Sequence, residues 1–308
     1  MAKAGRHDIA RLVVLCVFLA ILEGLAIYAP SKPGEPPTFC TAFNHMVKSG
    51  GTSIKDHLIS ASMRAGHIPP GVCTYGGSYS TPKECREAMT NSSVIMGYTE
   101  ILRQPMEKLG RACDHFTMMR HPVSRVVSAF FFCPTDQPIN RPPKWCGNMP
   151  HELPLEERLL EFVRRTAWSR ISFRQMMFGI NCPEDFEICE KGVEPTKPIQ
   201  DPLSAEGQRA LRKMEGLLSS YKAIGIFEHW ELSMRLFDAT VTSSVREWTS
   251  SSALNPGPAS PARDELLKWA YTNPDIHSAL AADLMLYQFS LTVFKQQTRD
   301  ALGTRWPM

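Results

Sequence analysis

The chain has 308 residues, 43% of them hydrophobic and 21% charged, with a formal net charge of +3. That is ordinary globular composition and enough chain for one large domain rather than two, with no low-complexity block or solenoid repeat. So small a net charge argues against a dedicated nucleic-acid binder, but it leaves room for a local basic cleft that takes an anionic substrate.

The first predicted element is "LVVLCVFLAILEGLAIYA", residues 12–29, an apolar run about long enough to span a thin bilayer. Lys3, Arg6 and Arg11 precede it, so the positive-inside rule keeps residues 1–11 cytosolic and sends the rest across. A cleaved signal peptide is the competing reading, but Pro30 directly after Ala29 makes a poor cleavage site. Glu23 costs on the order of 2.5–3.5 kcal/mol at a bilayer centre, and it lies past the middle of the run. Residues 30–38, "PSKPGEPPT", read as an extended Pro-rich stem, and residues 39–308 as the folded domain.

Of the nine cysteines, Cys16 falls in the span. The others, Cys40, Cys73, Cys85, Cys113, Cys133, Cys146, Cys182 and Cys189, form an even set suited to an oxidising compartment. Locality favours Cys182–Cys189, Cys133–Cys146 and Cys73–Cys85, which leaves Cys40 with Cys113, although spacing alone does not fix a pairing. No Cys-x-x-Cys pair favours a zinc site. Asn91-Ser92-Ser93 is a glycosylation sequon.

Within the domain, "FCTAFNHM" at 39–46 is compact and apolar enough for a buried strand. A Gly-Gly turn and a helix over residues 52–63 follow, with Thr52 or Ser53 as N-cap. Residues 92–98 and 114–122 read as further strands, and Pro122 opens the helix "PVSRVVSAFFF". Val123, Val126, Val127 and Phe130 form its apolar face, and Met118, Met119 and the run Phe130-Phe131-Phe132 read as core. Residues 133–150 are a Pro- and Cys-rich excursion, 153–180 a long helical region with a break near 166–170, and 181–202 a loop. A helix at 204–221, a strand at 222–228 and a helix at 229–241 come next. After a Pro/Ser-rich loop, residues 261–271 and 274–297 read as two further helices. Strand–turn–helix repetition predicts an α/β fold: a P-loop-like open parallel sheet flanked by helices, with ligand at the carboxyl ends of the strands.

The chemistry concentrates in two segments. "FNHMVKSGGTSIKDHL" places Lys48 before a Gly-Gly turn, whereas a Walker loop has its lysine after the glycines. Gly50 and Gly51 let the backbone approach an anion, the helix start offers N–H groups, and Lys48 adds a compact charge. "MMRHPVSRVVSAF" puts Arg120 at a strand end and Ser128 about two helical turns on, a fork and a hydroxyl for a second anion. Two anion sites on neighbouring strands fit a ligand with two separated phosphates.

"VKSGGTS" and "RHPVSRVVSAF" together resemble the two phosphosulfate-binding segments of the Golgi-type membrane-bound carbohydrate sulfotransferases, closest to the heparan and uronyl 2-O- and 6-O-sulfotransferase-like group. "AIGIFEHWELSMRLF" and "DLMLYQFSLTVF" resemble that group's later strand–helix and C-terminal helix, so the likeness covers most of residues 39–297. It implies the donor 3′-phosphoadenosine 5′-phosphosulfate (PAPS), no metal, and a glycan or proteoglycan acceptor. It also implies a lumenal domain on a single-pass type II Golgi anchor. By the same resemblance Ser49, Gly50, Gly51, Thr52 and Ser53 wrap the 5′-phosphate, Arg120 and Ser128 hold the 3′-phosphate, and Lys48 meets the bridging oxygen.

The general base is the departure. The 2-O group carries a His-Gly-His segment after its second strand, where this chain has Met96-Gly97-Tyr98-Thr99-Glu100. Glu100 is the candidate base, with His45 second. Glu228 reads as a cap or ion-pair partner, and Arg164, Arg165, Arg170 and Arg174 as solvated charges or acceptor contacts. A P-loop-type phosphotransferase and a non-catalytic lumenal glycan-binding protein of the same fold are the competing functions. The absent Walker order and Mg²⁺ carboxylate count against the former. The missing histidines keep the latter open.

Overall fold

The computed structural model describes residues 40–46, 48–64, 71–73, 94–97, 113–133, 152–165, 172–173, 176, 205–241, 260–304 and 306, all within the compact unit Phe39–Met308. The expected tail, span and stem lie outside the described residues, as do residues 134–150 of the expected excursion and the loop expected at 181–202. No helix among the described residues is long and apolar enough to cross a membrane.

The fold is mixed α/β, a parallel sheet flanked by helices. Its strands are β1 (Cys40–Asn44), β2 (Gly71–Cys73), β3 (Val94–Gly97), β4 (Cys113–Met119) and β5 (Ala223–Ile226). They lie in the order β2-β3-β1-β4-β5, and every adjacent pair is parallel. β1 is central. Thr41, Ala42, Phe43 and Asn44 are all buried, the unbroken burial of a strand covered on both faces. Its buried Asn44 donates its side-chain N–H to Tyr221 Oη at 2.8 Å, and its backbone carbonyl accepts from Thr117 Oγ1 at 2.9 Å.

The helices are α1 (Gly51–Arg64), α2 (Pro122–Phe132), α3 (Leu155–Arg165), α4 (Ala205–Ser219), α5 (Trp230–Thr240), α6 (Pro261–Thr272), α7 (Pro274–Ala279) and α8 (Ala281–Leu302). One core joins the sheet to α1, α4, α5 and α8 through Phe43, Ile54, Phe116, Met214, Phe237 and Phe294. A second joins α2, α3, α6 and α7 through Val126, Val127, Phe130, Phe162, Leu266 and Ile276. Between them a fully buried pair, Arg125 with Asp283 at 3.4 Å, ties α2 to α8, and Asp283 also accepts the Phe173 N–H at 2.7 Å. Burial pushes the Arg125 pKa down, and Asp283 opposes that shift.

Several expectations are corrected. β2 has no sequence signal of its own. Its three residues follow Pro69 and Pro70 and are defined by pairing with β3, Val72 opposite Met96. The strand expected at 114–122 ends at Met119, so Arg120 and His121 form the turn into α2. The strand expected to reach residue 228 stops at Ile226, where the Ser233 hydroxyl accepts from the Ile226 N–H and donates to its carbonyl. A 3₁₀ turn, Phe227–His229, follows. The single helix expected at 274–297 is two, broken at Leu280, because Ile276 and Leu280 face the second core while Leu286 and Phe294 face the first. Thr52 and Ser53 are not N-caps. α1 starts at Gly51, and the Gly50 carbonyl accepts its first helical bond from Ile54 at 3.2 Å. The Phe130–Phe132 run is only partly core: Phe130 is buried, but Phe131 is 39% and Phe132 53% exposed.

Cys113 and Cys133 are both disulfide-bonded, and the sheet register sets Cys40 opposite Cys113.

Candidate active site

The sheet order creates one place where chemistry can collect. The chain leaves β1 toward β2 and β3 on one side and returns to β4 on the other. The carboxyl ends of β1 and β4 therefore flank the point where connections diverge, the usual ligand crevice of an open α/β sheet. The Lys48 loop leaves β1 there and Arg120 leaves β4 there.

The loop is tight. Ser49 N donates to Met46 O at 3.3 Å, and Lys48 (φ 61) and Gly50 (φ 83) both take the left-handed region. That conformation is cheap for glycine and uncommon for lysine. Gly50 and Gly51 also have no room for a side chain. A Cβ on Gly50 would stand 2.8 Å from Phe227 Cδ2, and one on Gly51 would overlap the His45 ring. The first N–H groups of α1, from Gly51 onward, have no intrahelical acceptor and sit at the positive end of the helix dipole. Ser49 and Ser53 are buried in the turn, whereas Thr52 is exposed.

Arg120 closes the site from β4. Its Nη1 donates to the Lys48 carbonyl at 3.2 Å and its guanidinium lies over the Phe227 ring, 4.5 Å from the centroid. Its buried Nε meets no acceptor among the described residues. The Lys48 ammonium rests over the Phe132 ring at 4.1 Å. Ser128, partly exposed, lies one turn before Phe132 on α2, so it belongs to the helix stripe that Lys48 approaches.

A third cation, Arg263 in the first turn of α6, acts on both of these. Burial, then the charges of Arg120 and Arg263, push Lys48 down to about 8. Burial lowers Arg120 to about 10, with Arg263 and Arg125 acting in the same direction and Glu228 and Tyr271 opposing. Repulsion among like charges held close in a partly dry crevice is what a bound polyanion relieves.

Glu228 bridges the turn and the C-terminal helix α8. Its Oε1 accepts the His121 N–H at 3.0 Å, at the entry to α2, and its Oε2 accepts from Tyr287 at 3.2 Å. The His121 ring contacts Tyr271 and Tyr287, and Tyr271 is hydrogen-bonded to Ser124 at 2.8 Å. These contacts fix the turn that carries Arg120. Burial pushes the Tyr287 hydroxyl pKa up, with Glu228 adding to it.

The candidate bases part company. His45 is half-buried against Gly51, stacked at 6.1 Å on Phe43, and burial followed by Lys55 and Lys48 lowers it to about 4. Glu100 lies outside the described residues. β3 ends three positions earlier at Gly97, in register with Asn44.

Arg164 is exposed and paired with Asp275 at 3.0 Å and with Glu161 at 3.8 Å. Arg165 ends α3, and Arg170 and Arg174 lie outside the described residues. Among the described residues, no group of three or more His, Cys, Asp or Glu is placed to hold a metal ion.

Sequence reasoning missed Arg263, His121 and Tyr271. Arg263 and Tyr271 come from a helix more than 140 positions after Arg120, and only the packing of α6 on α2 brings them in. No protein-family model matches the chain, and no curated protein matches it.

Proposed function

We propose that this chain transfers the sulfuryl group of PAPS to a hydroxyl of a glycan, on a P-loop-like sheet. One observation carries the reading: the Lys48 loop and Arg120 converge on the β1/β4 crevice, joined by the Arg120–Lys48 hydrogen bond, with Arg263 adding charge. Two anion-binding elements side by side suit a nucleotide with separated 3′ and 5′ phosphates. The α1 N-terminus, with Ser49 through Ser53, takes the 5′-phosphate. Arg120 and Ser128 take the 3′-phosphate.

In the transfer, the acceptor oxygen forms a bond to sulfur as the bond from sulfur to the phosphate oxygen breaks. The acceptor proton passes to a base, and the products are a sulfate ester and adenosine 3′,5′-bisphosphate (PAP). Negative charge grows on the departing oxygen. A cation there stabilises the transition state more than the ground state, and we assign that role to Lys48. Glu100, three positions after β3 in the sequence, is assigned the proton. His45, whose ring packs against Gly51 and whose pKa is lowered to about 4, is assigned to holding the loop rather than to proton abstraction.

Binding separates this reading from a triphosphate-dependent one. The protein should bind PAP and not Mg·ATP in calorimetry, and Arg120→Ala should weaken PAP by about 1.5–3 kcal/mol, tenfold or more. Preference for Mg·ATP, or an unchanged PAP affinity in Arg120→Ala, overturns it. PAP binding without transfer to any glycan acceptor favours the non-catalytic glycan-binding reading. The apolar run at 12–29 with its preceding Lys and Arg residues supports a type II Golgi anchor with the domain lumenal. Protease protection in sealed microsomes tests it, and digestion of the C-terminal region there contradicts it.

A further inference from the structure

α2 ends in three phenylalanines, and the burial series is unusual. Phe130 is 4% exposed and packs edge-on against Phe162 at 5.7 Å, which fixes the helix end in the second core. Phe131 and Phe132 then turn outward, 39% and 53% exposed, although apolar patterning makes all three core. The next residue, Cys133, is disulfide-bonded and buried, so the chain is pinned where it presents these rings.

An exposed aromatic beside a site is more informative than one elsewhere on a surface. One face of Phe132 carries the Lys48 ammonium at 4.1 Å, yet over half of the side chain stays in solvent. In the transfer reading, on which this inference rests, Lys48 marks the departing oxygen and the acceptor oxygen must come within about 3–3.5 Å of sulfur. An acceptor ring that delivers a hydroxyl there passes within contact of Phe132. A pyranose has one face of C–H groups and a rim of hydroxyls. Such a face gains by lying on a rigid phenyl ring and loses little conformational entropy in doing so.

We propose that Phe132 is the acceptor platform of the site: its ring orders Lys48 on one face, and its exposed surface receives the C–H face of the pyranose that carries the reacting hydroxyl. Phe131, edge-on to Phe130 at 5.5 Å, extends that surface.

The test uses the full-length chain with PAP bound, and an unsulfated glycosaminoglycan tetrasaccharide, heparosan, as probe. Saturation-transfer NMR should show the sugar C–H protons in contact. Phe132→Ala should weaken the tetrasaccharide about tenfold, the loss of one aromatic contact. Phe132→Trp should restore it, and PAP affinity should stay within about threefold in both variants. The proposal is overturned if Phe132→Ala binds the tetrasaccharide like wild type, or if the wild type gives no saturation transfer to it. Contact with p-nitrophenol alone would also overturn it, in favour of an aromatic acceptor. Failure of the wild type to bind PAP in calorimetry sinks the transfer reading itself, and this proposal with it.

Discussion

Gly51→Ala probes the loop most directly. A methyl there would overlap His45 Cδ2 and Nε2, far inside any real contact. The ring is half-buried and stacked on Phe43, so it must shift off that contact to admit the methyl. Overpacking of this kind costs about 1–3 kcal/mol, and so deep an overlap belongs at the top of that range. Alanine's helix propensity returns up to about 1 kcal/mol, less at a first helical position. The net loss is about 2–3 kcal/mol, a fall in Tm of about 5–10 °C for a domain of this size. Because the α1 N–H groups move with the loop, PAP affinity should also fall tenfold or more. The check is a double-mutant cycle by denaturant unfolding. In a His45→Ala background the new methyl occupies space the ring has left, so Gly51→Ala should be nearly neutral, a coupling of about 2 kcal/mol. Equal costs in both backgrounds, or none in either, would refute the claim that His45 supports the turn.

Three further outcomes follow from the same crevice. Lys48→Gly should raise stability by about 1 kcal/mol, because it relieves a left-handed non-glycine residue and a desolvated charge, while transfer is lost; a lower Tm contradicts this. Lys48 titrates near 8 rather than at 10.5 beside Arg120 and Arg263, so below pH 8 it is already charged, and above pH 8 a bound polyanion draws a proton onto it. PAP affinity should therefore fall as pH rises through 8, with proton uptake visible by calorimetry in two buffers of different ionisation heat; a pH-independent affinity would sink this linkage. Glu100→Gln should slow transfer about 10²–10⁴-fold with PAP affinity unchanged, and near-full turnover would move the base elsewhere.

What the sequence made legible was local. The β1–turn–α1 and β4–α2 junctions show because the Gly-Gly pair, Pro122 and the flanking apolar runs are each within a few residues of the feature they specify. β2 does not show, since three residues after two prolines form a strand only through the neighbour they pair with. Leu280 breaks a helix for a reason no window contains: its two sides face different cores. Arg263 and Tyr271 look like ordinary helix residues until α6 is packed on α2. Phe132 misled in the opposite way. Its apolar character predicts burial, and only the end of α2 and the position of Lys48 turn it outward.

These departures from local economy coincide. Lys48 takes a backbone conformation that costs a non-glycine residue on the order of 1 kcal/mol. Arg120 and Arg263 help to lower the Lys48 pKa and Arg263 that of Arg120, a repulsion that works against folding. A large apolar ring is left more than half in water. Packing alone would relieve each by a single substitution: glycine at 48, a neutral residue at 263, a polar one at 132. None of these would disturb the cores, because none of the three side chains belongs to them. That all three meet around Lys48, which leaves the carboxyl end of β1 where the strand order opens a crevice, is what a site shaped for a polyanion and a second, less polar reactant requires.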